Sequence, residues 1–209
     1  MSRGTERRAR LARAHLYLVA DAGMSDAAVR GALAGGVDML QLRDPGLTDD
    51  ELLAVAHRWR AACADHHALF WFNDRPDLAL AAGADGVHVG QDDAPVSEVR
   101  AQVGPDVLIG LSTHHPDQLS AAAHEPVDQL SVGPVWETPT KPGRAATGLE
   151  YVRAAVEAAP SVPWFAIGGI DHARLDEVLA AGATRVVVVR AITEADDPEA
   201  AARSLRERL

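Results

Sequence analysis

The chain holds a single lysine, and it stands among residues that could gather phosphate oxygens. Nineteen of the twenty basic residues are arginine, yet Lys141 lies within VWETPTKPGRAATG (residues 135–148), between threonines, prolines and glycines. An ammonium is a compact point charge on a long stem, and Thr138, Thr140 and Arg144 put further donors beside it, so the loop reads as an anion-binding segment. The other polar residues suited to chemistry come in short clusters, each closing an apolar run: Gln41-Leu42-Arg43-Asp44, Asn73-Asp74, Gly90-Gln91-Asp92-Asp93, Ser112-Thr113-His114, Gly168-Gly169 and Arg190. Two carboxylates with an amide between them suit Mg2+, a hard ion that takes oxygen ligands and shares them with phosphates. They do not suit zinc: His88, His114 and His115 lack its partner spacing and are read as hydrogen-bonded structural groups.

The runs that precede these clusters show what must position them. Eight apolar segments rich in β-branched residues, 15–19, 38–42, 68–72, 86–89, 107–111, 127–132, 164–168 and 184–189, alternate with Ala-, Leu-, Arg- and Glu-rich segments of helical length. A further helical segment, DPEAAARSLRERL, follows the last run. The junctions LAGGVDML, AAGADGVHV and AAGATRVVV repeat a glycine just past a helix, where a left-handed cap is expected. Eight βα units predict a parallel sheet with right-handed crossovers, either closed as a (β/α)8 barrel or open and doubly wound. The barrel is favoured, because HLYLVADAGMSD after the first strand lacks the glycine-rich phosphate turn of an open sheet. Residues 1–209 are read as one α/β TIM-barrel domain, with 1–14 as a short N-terminal helical extension. In a barrel all strand C-termini open on one face, so the clusters converge there.

Composition narrows the partners. A formal charge of −10 leaves no basic face for nucleic acid or an anionic membrane, so small phosphorylated molecules are the expected ligands. No apolar run approaches the ~20 residues of a bilayer crossing. One cysteine, Cys63, excludes an internal disulfide framework and fits a cytoplasmic setting. Oligomeric state is left open, a homo-oligomer included. Taken singly, Asp74 and Asp93 are explained as helix caps. Carboxylates on neighbouring strands, aimed at the same mouth as Arg43 and Lys141, ask for more than capping.

QLRD (41–44), ND (73–74), DGVHVGQDD (85–93), GLST (110–113), GPVWETPTK (133–141) and AIGGI (166–170), in that order, resemble the thiamine-phosphate synthase family over nearly the whole chain from His15 onward. The resemblance implies a transferase of thiamine biosynthesis that joins a hydroxymethylpyrimidine diphosphate to a thiazole phosphate (hydroxyethylthiazole phosphate or its carboxylated precursor) and releases diphosphate. Carried across, the stretch Gln41, Leu42, Arg43, Asp44 and Pro45, with Asn73, Ser112 and Lys141, binds the pyrimidine diphosphate, and Arg43, Lys141 and Ser112 assist its departure. Asp74 and Asp93 hold Mg2+. Thr138, Pro139, Thr140, Gly169, Val189 and Arg190 hold the thiazole phosphate. Two positions depart from the family pattern: a lysine is usual where Pro45 stands, and a serine where Arg190 stands. Arg190 either turns into the mouth as an extra phosphate donor or turns outward toward Glu194.

Three rival readings share the same barrel. A thiazole tautomerase-like homologue would not need Asp74, Asp93 and the TPTK segment together. A Schiff-base aldolase could use Lys141, although such lysines sit on a strand in apolar or cationic surroundings rather than about nine residues beyond it in a Thr- and Pro-rich loop. A non-catalytic phospholigand-binding barrel is the third, and the loss of a lysine at Pro45 leans that way.

Overall fold

The computed structural model describes residues 2–138 and 145–209. Eight parallel strands close in sequence order into a barrel: β1 (Leu16–Ala20), β2 (Met39–Leu42), β3 (Leu69–Asn73), β4 (Gly86–Val89), β5 (Leu108–Thr113), β6 (Gln129–Val132), β7 (Trp164–Ile167) and β8 (Val186–Val188). The described helices are α1 (Arg3–Leu11), α2 (Asp26–Ala34), α3 (Asp49–Asp65), α4 (Pro76–Ala82), α5 (Val96–Val103), α6 (Pro116–Ala122), α7 (Gly148–Ala158), α8 (Leu175–Ala180), α9 (Arg190–Thr193) and α10 (Pro198–Arg206). Every expected strand is present, and the barrel, rather than the open sheet, is the observed closure.

Strand alternation sorts the residues into two cores. Outward side chains such as Leu40, Leu42, Phe70, Phe72, Val87 and Ile109 pack beneath the helices. Inward ones, including Tyr17, Met39, Leu69, Trp71, Leu108 and Phe165, fill the barrel axis. Tyr17 meets Trp71 at a centroid distance of 6.1 Å and Phe165 edge-on at 5.7 Å. An ideal Cβ at Gly86, paired with Trp71, would fall 2.6 Å from the indole, so a glycine there makes room for a ring as large as tryptophan's.

The bottom of the barrel is closed by α1, whose Leu11 joins the inward core while Arg7 and Arg8 pair with Asp85 and Asp128 at 2.8 and 2.7 Å. Asp38, Asp85 and Asp128 each stand just before an even-numbered strand, and each accepts a backbone N–H from the start of the preceding one (Leu16, Phe70 and Ile109). This use of the aspartates explains why β2 and β6 begin at Met39 and Gln129, later than their apolar patterns suggested. The short helix α9, interposed before α10, carried no apolar repeat that could announce it, being only one turn long.

Candidate functional site

A cavity of ≈ 330 Å³ opens at the C-terminal end of the barrel. Tyr17 and Val19 of β1, Gln41 at the end of β2 and Arg43 just beyond it border one side. Asn73 of β3 and Ser112 of β5 complete that wall. The opposite side is formed by Gly168, Gly169, Val189 and Arg190, with Thr138 between. Strand parity explains the membership: Gln41, Asn73 and Ser112 sit at inward positions, so their polar ends rise into the mouth above the apolar axis.

The floor is polar but satisfied. Gln41 donates through Nε2 to the Tyr17 hydroxyl, and complete burial pushes the Tyr17 phenol well above its ordinary pKa, only partly offset by that bond. Tyr17 therefore stays neutral. His88 lies between Gln129 Oε1 (3.1 Å, from Nδ1) and Ser112 Oγ (2.9 Å, from Nε2), and Gln129 Nε2 reaches Ser131 Oγ at 3.1 Å. The structural reading of His88 thus holds. Tyr17, Gln129 and Ser131 were not singled out from sequence, although inward parity on β1 and β6 would have found them.

Across the mouth, Gly168 and Gly169 adopt φ of +106° and +67°. A Cβ at Gly168 would fall 2.5 Å from Pro134 Cα, so the turn and the segment after β6 can approach only with glycine there. Trp136 carries the Arg174 guanidinium 5.0 Å from its ring centroid, and Arg174 donates to Gly169 O at 3.0 Å. The turn is thereby braced from outside.

The two aspartates behave differently from caps. Arg75 and Pro95 are the cap residues of α4 and α5, and neither helix has a side-chain cap. Asp74 instead takes a left-handed backbone, φ +56°, uncommon for a residue other than glycine, and its Oδ2 accepts Asn73 Nδ2 at 2.5 Å. Asp93 Oδ2 accepts the Gly90 N–H at 2.7 Å. Both follow adjacent strands, though neither borders the cavity, and their own carboxylate oxygens are ligands of the kind a hard divalent cation takes. Among the described residues no group of three or more His, Cys, Asp or Glu side chains could hold a metal ion. Any Mg2+ here would need oxygens from substrate and water to complete its shell, as that ion ordinarily does.

The remaining expected residues are placed as follows. The Leu42 side chain belongs to the outward core, so only its backbone could meet a ligand. Asp44 is committed to loop geometry, its carboxylate accepting the N–H of Ala22 (3.2 Å) and of Gly46 (3.0 Å), and Pro45 is exposed beside it. Neither Asp44 nor Pro45 borders the cavity, because the chain turns away after Arg43 to reach α3. Arg190 borders the cavity together with Glu194 but makes no ion pair with it. Pro139, Thr140 and Lys141 lie outside the described residues.

The sequence pattern of the family described as thiamine monophosphate synthase matches residues 16–192. The chain belongs to that family. It is 54% identical over 214 residues to a thiamine-phosphate synthase of Mycobacterium marinum, covering 96% of this chain and 97% of the other. It is 52% identical over 207 residues to one of Acidothermus cellulolyticus, covering 97% and 98%. Among solved structures, a thiamine phosphate pyrophosphorylase from Pyrococcus furiosus superposes with a TM-score of 0.86 at 32% identity, over 96% of each chain.

Proposed function

We propose that the chain is a thiamine-phosphate synthase, a transferase that joins a hydroxymethylpyrimidine diphosphate to a thiazole phosphate and releases diphosphate. The observation that carries this reading is one cavity with two unlike walls. Gln41, Arg43, Asn73 and Ser112 offer amide, guanidinium and hydroxyl groups on one side, while a glycine turn and Arg190 face them from the other. Such a cavity suits two ligands, each with an anionic tail. The apolar Val19, Ile167 and Val187 that also line it suit their rings.

The reaction needs no nucleophile or general base from the protein: the Ser112–His88–Gln129 chain has the hydroxyl–imidazole–acceptor order of such a set, but the proposed course leaves it a binding role. In the proposed course the carbon–oxygen bond to diphosphate breaks first and its electron pair leaves with diphosphate. The pyrimidine methylene becomes a cation, and the thiazole nitrogen lone pair closes the new carbon–nitrogen bond. Arg43 stabilises the charge that grows on the departing oxygens, with Lys141 assigned the same role. Gln41, Asn73 and Ser112 orient the pyrimidine diphosphate, and the turn at Gly169 with Thr138, Val189 and Arg190 holds the thiazole phosphate at bonding distance. Asp74 and Asp93 would hold Mg2+, which when bound supplies further neutralisation of the diphosphate.

Incubation of the purified chain with both substrates and Mg2+ tests the proposal: thiamine phosphate and diphosphate should appear in equal amounts. Tight binding of either phosphate without any product would favour the non-catalytic barrel instead.

A further inference from the structure

The interior between β4, β5 and β6 holds a buried polar chain whose hydrogen-bond directions follow one from another. Gln129 is fully buried, and its Nε2 lies 2.5 Å from Leu130 O. A carbonyl oxygen can only accept, so the amide nitrogen must face it and Oε1 must face His88. Oε1 also only accepts, hence the His88 Nδ1 at 3.1 Å carries hydrogen. In the neutral ring Nε2 then has a lone pair and no proton, and the Ser112 hydroxyl 2.9 Å away must donate to it. The proton of Ser112 is committed to the interior. Its remaining lone pairs are what it offers the cavity, which it borders.

A second observation shows that the space for this chain is built. An ideal Cβ on Gly110 would fall 2.4 Å from both Gln129 Oε1 and His88 Nδ1, the two atoms of the central bond. Gly110 pairs in register with His88 on one side and Gln129 on the other, so any side chain at this inward position of β5 would part them.

We propose that Gln129 and His88 are positioning residues that fix Ser112 as a hydrogen-bond acceptor toward the ligand. The group that meets Ser112 is accordingly a hydrogen-bond donor and not an ionised phosphate oxygen, and an amino group on the pyrimidine ring would serve. This rests on the reading above only in assigning Ser112 to the pyrimidine half of the substrate pair.

The test begins with 15N spectra of the ligand-free protein carrying labelled histidine, with His88 assigned by its loss in His88→Asn. Nδ1 should show a bound proton and Nε2 the shift of an unprotonated, hydrogen-bonded nitrogen. A proton on Nε2 in the parent protein, whether the ring is neutral or doubly protonated, overturns the proposal. In Gln129→Leu the constraint is removed and the proton should move to Nε2; an unchanged tautomer there also overturns it. Should that variant not fold, the parent spectrum decides alone. The ligand half is tested by calorimetry with an aminopyrimidine and its oxo counterpart. The amino compound should bind at least ~10-fold tighter, as expected when a buried acceptor loses its donor, and equal affinity overturns that half. Both readouts are independent of turnover, so they stand or fall separately from the coupling activity.

Discussion

Replacing Arg190 with serine removes a guanidinium at the cavity rim, on the wall proposed to hold the thiazole phosphate. Arg190 is exposed at the rim of the cavity and begins α9; its side chain makes no ion pair among the described residues. A fully desolvated charged hydrogen bond is worth about 1.5–3 kcal/mol, whereas an exposed ion pair is worth about 0.2–1 kcal/mol. A guanidinium at an open rim belongs near the meeting point of those ranges, about 1 kcal/mol, which corresponds to roughly a five-fold change in affinity. The fold should not suffer, since the side chain is exposed and makes no ion pair among the described residues. Steady-state rates measured with each substrate varied against saturating levels of the other separate the effects. The KM for thiazole phosphate should rise several-fold in Arg190→Ser while the KM for pyrimidine diphosphate and kcat stay near those of the parent. Added salt should shrink the difference, because the rim is open to screening. Equal KM values for thiazole phosphate in the two proteins would show that Arg190 does not reach the ligand.

Lys141→Met should lower kcat by at least ~10-fold if the charge acts mainly as diphosphate departs; bound diphosphate with Mg2+ should protect the same residue from amine-modifying reagents, and unprotected modification would remove that role. Asp74→Asn, which retains a residue tolerant of φ +56°, and Asp93→Ala should abolish turnover with circular dichroism unchanged, as should EDTA; activity surviving chelation would dismiss the Mg2+ proposal. Gly86→Ala should cost about 1–3 kcal/mol by driving a methyl into the buried Trp71 ring, lowering Tm by several degrees, and a Tm equal to the parent's would mean the axis can repack. Arg75 holds the carboxyls of Asp49 and Asp77 below their ordinary value of 3.8 by hydrogen bonding, so its contribution to stability is fully present above that value and lost as pH falls through the lowered ones. The Tm gap between parent and Arg75→Ala should therefore close as acid is added below about pH 4; a gap constant from pH 6 to 2.5 would contradict the pairing.

The order and number of strands could be read because apolar runs of strand length separated by helical segments admit few arrangements, and the polar strand ends could be read because a barrel gathers them on one face. What did not transfer was the distinction between neighbours within one cluster. Gln41 and Leu42 are adjacent in sequence and equally buried, yet one borders the cavity and the other faces α-helices, since each step along a strand reverses the side. Asp44 and Arg43 diverge for a related reason: β2 has ended, and a turn whose geometry rests on Asp44 itself decides which side chain is carried inward. The polar wedge behind Ser112 was hidden differently. Gly86 and His88, Gly110 and Ser112, and Gln129 and Ser131 alternate with apolar residues on β4, β5 and β6, so within any single strand they look like the solvent face of an amphipathic ribbon. A closed parallel barrel gives its strands no solvent face. Once closure is accepted, small and polar residues recurring at the same parity on three consecutive strands can only point to the axis, where each polar atom must find a partner or a ligand. His88 and Gln129 find partners in each other; Ser112, at the top of the same column, has one partner below it and the cavity above.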